Sequence, residues 1–176
     1  ADSEKRNNFI NMMVDEYKFD RSDLVKKLDG VVVNKKVIRF MQKPSTSKPW
    51  HEFKKLFLSN NRTDQGVLFW KKNQHWLEKA YKVYGISPEI VVSIIGVETI
   101  YGARVGSFRV LESLYTLGFE GKRRRAFFTN ELKEFLILCR DNKLDTEEVK
   151  GSFAGAMGMP QFMPSSYRAY AVDFDE

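Results

Sequence analysis

The sequence predicts an all-α protein, and three observations carry that prediction. Apolar residues recur at spacings of three and four along most of the chain. Strand-like alternation is almost absent; GVVV at 30–33 is the single short candidate. Start and stop signals bracket the periodic stretches, with Gly85 as a stop and Ser87–Pro88 as a start.

The elements follow in order. Residues 4–18 carry apolar side chains at 9, 10, 13, 14 and 17, which is helical spacing. Asp20 or Ser22 is placed to cap a second helix reaching Leu28. Asn34 is placed to cap a third, with Val37, Ile38, Phe40 and Met41 expected inside. KPSTSKPW, 43–50, holds two prolines among small polar residues and reads as a linker. Trp50 to Leu58 reads as a short helix. Residues 63–84 read as a long amphipathic helix with Val67, Trp70, Leu77, Ala80, Tyr81 and Tyr84 near one face. Pro88 opens a helix running to about Tyr101, with Gly102 as its stop. A last clear helix spans about 126–141, where Leu132, Phe135, Leu136 and Cys139 are spaced i, i+3, i+4, i+7. The expected organisation is an N-terminal helical segment, 1–85, and a helical core, 86–176.

Composition narrows the function. A 43% apolar and 14% aromatic content supports a packed core and argues against disorder. No apolar run approaches the ~20 residues of a transmembrane helix, and ADSEKRNNF lacks the charged-then-apolar pattern of a leader. One cysteine excludes an internal disulfide, and Leu136 and Leu138 mark Cys139 as a buried thiol. His51 and His75 sit in polar helical contexts with no nucleophile motif, and one cysteine without paired histidines argues against zinc. The net charge of +6 favours polyanions: nucleic acid, an anionic lipid surface or an acidic cell-wall polymer. KRRR at 122–125, beside Phe127 and Phe128, reads as a nucleic-acid contact or as a solvated basic helix start.

Two stretches carry chemistry. In VVSIIGVETIYG, 91–102, an acid ends an apolar run. Glu98 shares a helix face with Val91, Ile94 and Ile95. Burial on that face, with the negative end of the helix dipole, is expected to raise its pKa above about 4.3. Two roles fit this position: a general acid, or a buried carboxylate paired with Arg104 or Arg109. In GSFAGAMGMPQFMPSSY, 151–167, glycines and alanines leave backbone open to close approach. Gln161 and Phe162 beside it suit a sugar, the amide for hydroxyl or N-acetyl groups and the ring for a pyranose face. A tight helix crossing is the alternative. Ser-Ser-Tyr after Pro164 is placed to begin a helix.

With GVETIYG followed some fifty residues on by KGSFAGAMGMPQFMPSSYRAYAVDF, the chain closely resembles the lytic transglycosylase B family. These are periplasmic peptidoglycan-cleaving enzymes with a lysozyme-like core. The likeness runs from QGVLFW, 65–70, to residue 176, with PWHEFKKLF, 49–57, as the main match before it. The resemblance implies that Glu98 is the single catalytic acid/base. It implies that Ser152, Gln161 and Phe162 contact substrate and that Met157 lines the same cleft. It implies that Arg124 and Arg125 face the glycan or its peptide stem, in a register offset by one residue. Phe53 stands where relatives carry a tyrosine, so its ring packs but offers no hydroxyl.

The family cleaves the β-1,4 bond between N-acetylmuramic acid and N-acetylglucosamine without water. The acid protonates the leaving oxygen, then accepts the proton of the muramyl primary hydroxyl, giving a 1,6-anhydro product. A hydrolase would need a second carboxylate about 5–9.5 Å away; Glu112, Asp141 and Asp145 lie between the motifs. The alternatives are a non-catalytic wall-binding fragment and a hydrolytic muramidase. No cofactor and no bound metal are expected. Asp173 and Asp175 match the first two ligands of an EF-hand-type loop, so calcium is implied only for a longer form of the chain. The core is expected to stop short at its C-terminal end. The implied partner is the glycan strand, with no nucleic acid; the implied state is a monomer. The implied location is the periplasm, with outer-membrane association in a longer precursor.

Overall fold

The computed structural model describes residues 3–42 and 49–174, except for the side chain of Leu56. The expected linker lies, apart from Pro49 and Trp50, outside the described residues, as does Asp175. Helix dominates: α1 (Ser3–Asp15), α2 (Arg21–Asp29), α3 (Lys35–Gln42), α4 (Trp50–Phe53), α5 (Asn60–Tyr84), α6 (Pro88–Thr99), α7 (Val110–Tyr115), α8 (Arg125–Asp141) and α9 (Pro164–Tyr170). A 3-10 turn, Lys54–Leu56, follows α4, and a π-helical turn, Thr116–Glu120, follows α7. Two-residue strands β1 (Phe108–Arg109) and β2 (Lys150–Gly151) pair antiparallel, Phe108 opposite Gly151. GVVV is not a strand; it connects α2 to α3. Among the described residues no single helix is long and apolar enough to cross a membrane.

The chain forms two compact units that do not follow a cut at residue 85. The first comprises Ala1–Lys43, Gly106–Met157 and Phe162–Ala171; the second comprises Pro44–Val105, Gly158–Gln161 and Val172–Glu176. Thus the N-terminal helices pack with the chain after residue 105, and α5 packs with α6.

The first unit holds the larger core. Phe9, Ile10 and Met13 of α1, Leu24 and Leu28 of α2, and Val37 of α3 cluster with α7 and α8. The caps act as the sequence implies: Asp20 Oδ1 accepts from Asp23 N–H at 2.9 Å, and Asn34 Oδ1 from Lys36 N–H at 3.1 Å. On α3 only Val37 is fully buried; Phe40 is 40% exposed, with its ring edge-on to Phe108 at 5.9 Å. Leu132, Phe135, Leu136 and Cys139 line the buried face of α8. Burial pushes the Cys139 thiol up to about 12, so it packs as an inert apolar group.

Helix α9 is fastened to α8 by two carboxylates one turn apart. Glu131, 2% exposed, accepts from Ser165 N–H at 2.9 Å and Ser165 Oγ–H at 2.6 Å, capping the first turn of α9. Glu134 pairs with Lys133 at 3.0 Å and with Arg168. Burial alone would raise the Glu134 carboxyl; hydrogen bonds from Lys133 and Arg168, with their charge, outweigh it and hold the group below its ordinary value.

In the second unit α5 runs 25 residues with non-helical φ/ψ at Asn73, whose Nδ2 donates to Phe69 O at 2.8 Å. Its buried positions are Gly66 and Leu77 rather than the broad face expected; Val67, Tyr81 and Tyr84 are about half exposed. Gly85, at φ +70°, ends the helix in the left-handed conformation that glycine adopts without strain. The Phe53 ring lies near those of Trp50 and Phe57, tilted to both, with centroids 6.2 and 5.1 Å away.

A depressed folded-state pKa makes the Glu134 pair stabilising at neutral pH, with that stability lost as pH falls through the folded value. Glu134→Gln is therefore expected to lower stability at pH 7, and the gap to the unsubstituted chain should narrow once pH drops below about 4. Urea unfolding followed by circular dichroism at both pH values checks this.

Candidate active site

Helix α6 is apolar on more than one side. The buried positions are Val92, Gly96 and Thr99, one stripe at i, i+4, i+7. Ile90, Ile94 and Val97, at 54%, 52% and 52%, stay half exposed. The face expected to bury Glu98 is therefore not the buried one, and Glu98 is exposed. Among the described residues it forms no hydrogen bond or ion pair, so neither Arg104 nor Arg109 neutralises it. Arg109 instead pairs with Glu112 at 3.4 Å and Glu147 at 3.7 Å.

The helix ends one residue after Glu98, and it ends by reversal rather than at Gly102. Ile100, Tyr101 and Gly102 are all left-handed, at φ 52°, 56° and 87°. For a β-branched and an aromatic residue that conformation costs roughly 1–2 kcal/mol each. The local contacts explain how it is held. Ile100 N–H donates to Gly96 O and Tyr101 N–H to Ile95 O; Arg104 N–H donates to Thr99 O at 2.8 Å. The reversal turns the Tyr101 ring back against α5 and α6. A Cβ on Gly66 would lie 2.5 Å from Tyr101 Oη, and one on Gly96 2.7 Å from the ring. These two mid-helix glycines exist to admit that ring. Phe69 covers it at 5.7 Å, and Arg62 Nη1 donates to Gly96 O at 3.0 Å, placing a cation at the negative end of α6.

Four residues of the glycine-rich motif, Gly158–Gln161, belong to the same unit as Glu98. Thr99, fully buried, joins them to the helix end. Its Oγ1 accepts from Gly102 N–H at 3.1 Å and donates to Met159 O at 3.0 Å, with Ile95 O farther at 3.3 Å. Gln161, itself left-handed at φ 50°, spends its amide N–H groups on Val105 O at 3.0 Å and Gly158 O at 2.9 Å. Its Oε1 is thus left as an acceptor. The structure brings Glu98 and Gln161 onto one compact unit through Thr99, a residue that sequence reasoning passed over. The missed signal was a polar residue completing the buried 92/96/99 stripe.

The remaining expected site residues lie in the first unit. Ser152 Oγ accepts from Ala154 N–H at 3.3 Å and Ala156 N–H at 3.1 Å, closing a tight loop and leaving its own proton to donate. Gly155, at φ +89°, lies where a Cβ would be 2.4 Å from Leu114, so the small residues serve close packing as well as backbone access. Met157 and Phe162 exchange backbone hydrogen bonds at 2.8 and 3.1 Å. Met157 is 5% exposed and packs in the core; the ring of Phe162 is partly exposed and edge-on to Tyr167 at 6.4 Å. Arg124 lies over the Phe127 ring at 4.0 Å, and Arg125 Nε is committed to Gly121 O. The basic KRRR run thus starts α8, with Arg124 and Arg125 both exposed.

The acids between the motifs are engaged elsewhere. Glu112 pairs with Arg109, Asp141 with Arg140 at 3.1 Å, and Asp145 Oδ1 accepts from Glu147 N–H at 2.9 Å. Glu89, on the helix of Glu98, is nine residues earlier, about 13.5 Å along the axis and on the opposite side. No group of three or more His, Cys, Asp or Glu among the described residues is placed to hold a metal.

Residues 1–176 match the family described as transglycosylase SLT domain. The chain is 44% identical over 184 residues to the membrane-bound lytic murein transglycosylase B of Escherichia coli, covering 99% of this chain and 51% of that protein. The chain therefore spans about half the length of this curated relative. The soluble lytic transglycosylase SltB1 of Pseudomonas aeruginosa superposes with a TM-score of 0.92 at 45% identity, over 96% of this chain and 57% of that one. SltB3 of the same organism, solved in complex with NAG-NAM-pentapeptide, superposes at 0.88 and 28% identity, over 99% and 46%.

The slot that receives Tyr101 admits a direct test. Alanine at 96 gains about 1 kcal/mol of helix propensity over glycine, so a net loss reports the clash with the ring. Gly96→Ala is expected to destabilise the protein by about 1–3 kcal/mol, read by denaturant unfolding.

Proposed function

Because this chain belongs to the transglycosylase SLT domain family, we propose that it carries the catalytic acid of a peptidoglycan lytic transglycosylase. The bond cleaved is the β-1,4 link between N-acetylmuramic acid and N-acetylglucosamine, and the product carries a 1,6-anhydromuramyl end. The observation that supports this best is the isolation of Glu98: exposed, without a partner among the described residues, and on the unit that also presents Gln161.

The chemistry follows from one carboxyl used twice. A glycan seated over Glu98 removes water from it, and that desolvation favours the protonated form. Glu98 donates this proton to the glycosidic oxygen as the C1–O4 bond breaks. As carboxylate it then takes the proton from the muramyl C6 hydroxyl, whose oxygen bonds to C1. Atoms balance with no water consumed, and the acid returns to its starting state. The nucleophile is tethered to the reacting sugar, so its high effective molarity replaces a base-activated water. A hydrolytic muramidase requires a second carboxylate, and Glu112, Asp141 and Asp145 are occupied in pairs or caps.

The other residues take roles set by their free valences. Gln161 Oε1 accepts from a sugar hydroxyl or an N-acetyl N–H. The Ser152 hydroxyl donates to a sugar oxygen. Phe162 offers a ring to a pyranose face, its backbone held by the hydrogen bonds it exchanges with Met157. Arg124 and Arg125 supply positive charge towards the peptide stem, which carries carboxylates. Action on this polymer places the protein in the periplasm, and the net charge of +6 suits the acidic sacculus.

Removing the acid tests the proposal. General acid catalysis contributes roughly 10²–10⁴-fold, so Glu98→Gln should release anhydro-muropeptides from purified sacculi at least about a hundredfold more slowly, with an unchanged circular dichroism spectrum. Mass analysis of the products decides the reaction class: a reducing muramic end would identify a hydrolase, and intact sacculi with bound protein a wall-binding module.

A further inference from the structure

Two segments of the second unit, the end of α6 and the turn Gly158–Gln161, each hold non-glycine residues in left-handed backbone that favour other conformations: Ile100 and Tyr101 in the first, Gln161 in the second. Something must hold each one, and hold them to one another. The Thr99 hydroxyl has the required connections. It has one proton and two lone pairs. Its oxygen accepts the Gly102 N–H inside the reversal, and its proton goes to Met159 O, the nearer of two carbonyls, inside the turn. Thr99 is 0% exposed, so water cannot substitute for either bond. Gly102 lies directly over Met159, where a Cβ would be 3.1 Å from the sulfur, so the two segments also touch at this point. Gln161, two residues beyond Met159, completes the tie through Val105 O.

We propose that Thr99 is a positioning residue for the reaction: its hydroxyl fixes the Gln161 acceptor relative to the Glu98 carboxyl by joining the helix reversal to the turn. This rests on the transglycosylase reading for its catalytic consequence but not for its structural one. Neither Glu98 nor Gln161 needs to touch Thr99. The hydroxyl works by making one body of the two segments that carry them. Loss of the bond frees the Gln161 turn while leaving the buried methyl of residue 99 in place.

The test uses the full chain with Thr99→Val, which keeps shape and removes the hydroxyl, and Thr99→Ser, which keeps the hydroxyl. Turnover of soluble uncrosslinked glycan strands gives kcat and KM separately. Thr99→Val should lower kcat about ten- to a hundredfold, as small misplacements of reacting groups do, with KM changed less than threefold. Thr99→Ser should recover kcat to within about threefold of the unsubstituted chain. In the Thr99→Val background, Gln161→Ala should cost little more, because the amide is already misplaced. Unchanged kcat in Thr99→Val, no recovery in Thr99→Ser, or fully multiplicative effects of the Thr99 and Gln161 substitutions would overturn the proposal. Amide hydrogen exchange gives a readout independent of activity: Gly102 and Gln161 N–H should exchange at least tenfold faster in Thr99→Ala, measured under conditions where that variant is folded. Unaltered protection at both amides overturns the junction whatever the enzyme does. If the unsubstituted chain yields no anhydro product, the transglycosylase reading fails, and exchange alone decides the role of Thr99.

Discussion

The return of the Tyr101 ring between α5 and α6 is the constraint on which the second unit depends. It requires glycine at 66 and 96, because a Cβ at either position would overlap the ring. It requires Ile100 and Tyr101 in left-handed backbone, at a cost of roughly 1–2 kcal/mol each. It ends α6 at Thr99, leaving Glu98 in the last turn of a helix rather than in its middle. Strain of this kind persists only where the surroundings over-determine it. Here they do: four backbone hydrogen bonds, the Thr99 hydroxyl and the packed Tyr101 ring all act within residues 95–104. The Glu98 carboxyl therefore projects from a stiff piece of backbone even though its own side chain is unrestrained.

The sequence exposes its helices readily and its packing less well. The helices around α1, α2, α3, α5, α6 and α8 are legible from spacing and from Asp20, Asn34, Gly85 and Pro88. Which face each helix buries is not always legible. Helix α8 obeys the simple rule, since its apolar stripe is the buried one. Helix α6 does not, because Val, Ile and Gly occupy nearly every position and periodicity carries no contrast. There the buried stripe is marked by its smallest and most polar members, Gly96 and Thr99, and a rule that weighs hydrophobicity picks the wrong side. The same blindness hides the two units. Contacts between residues 1–43 and 106–157 are distant in sequence, and no local pattern encodes them.

The glycine-rich motif combines the two roles that sequence reasoning set against each other. Gly155 packs on Leu114 and Ser152 ties down its own loop, so the segment is a packing device. Its free valences are nonetheless polar and specific: one hydroxyl proton on Ser152 and one carbonyl oxygen on Gln161. Each is left over because the remaining polar atoms of its side chain are already committed to backbone. This commitment fixes not only where the side chain sits but whether it donates or accepts. Glu131 extends the same logic to the end of the motif, where both carboxylate oxygens are committed to Ser165 at the start of α9. Each oxygen of this buried side chain therefore has a hydrogen-bond partner, as a buried polar group requires.

An acid that must give up and regain a proton in one turnover is better left without a permanent cation. An arginine partner would hold the carboxyl ionised and weaken it as an acid. The chain has arginines at 104 and 109 close by in sequence, yet Arg109 is drawn to Glu112 and Glu147 within the first unit. Arg104 serves the reversal through its backbone N–H, not through its charge. Glu98 is thus left exposed, with no ion pair among the described residues. If the chain acts as proposed, a glycan that covers the exposed Glu98 excludes water from it, and desolvation favours the neutral form of a carboxyl, so an unpaired, exposed acid in the free protein is compatible with that proposal.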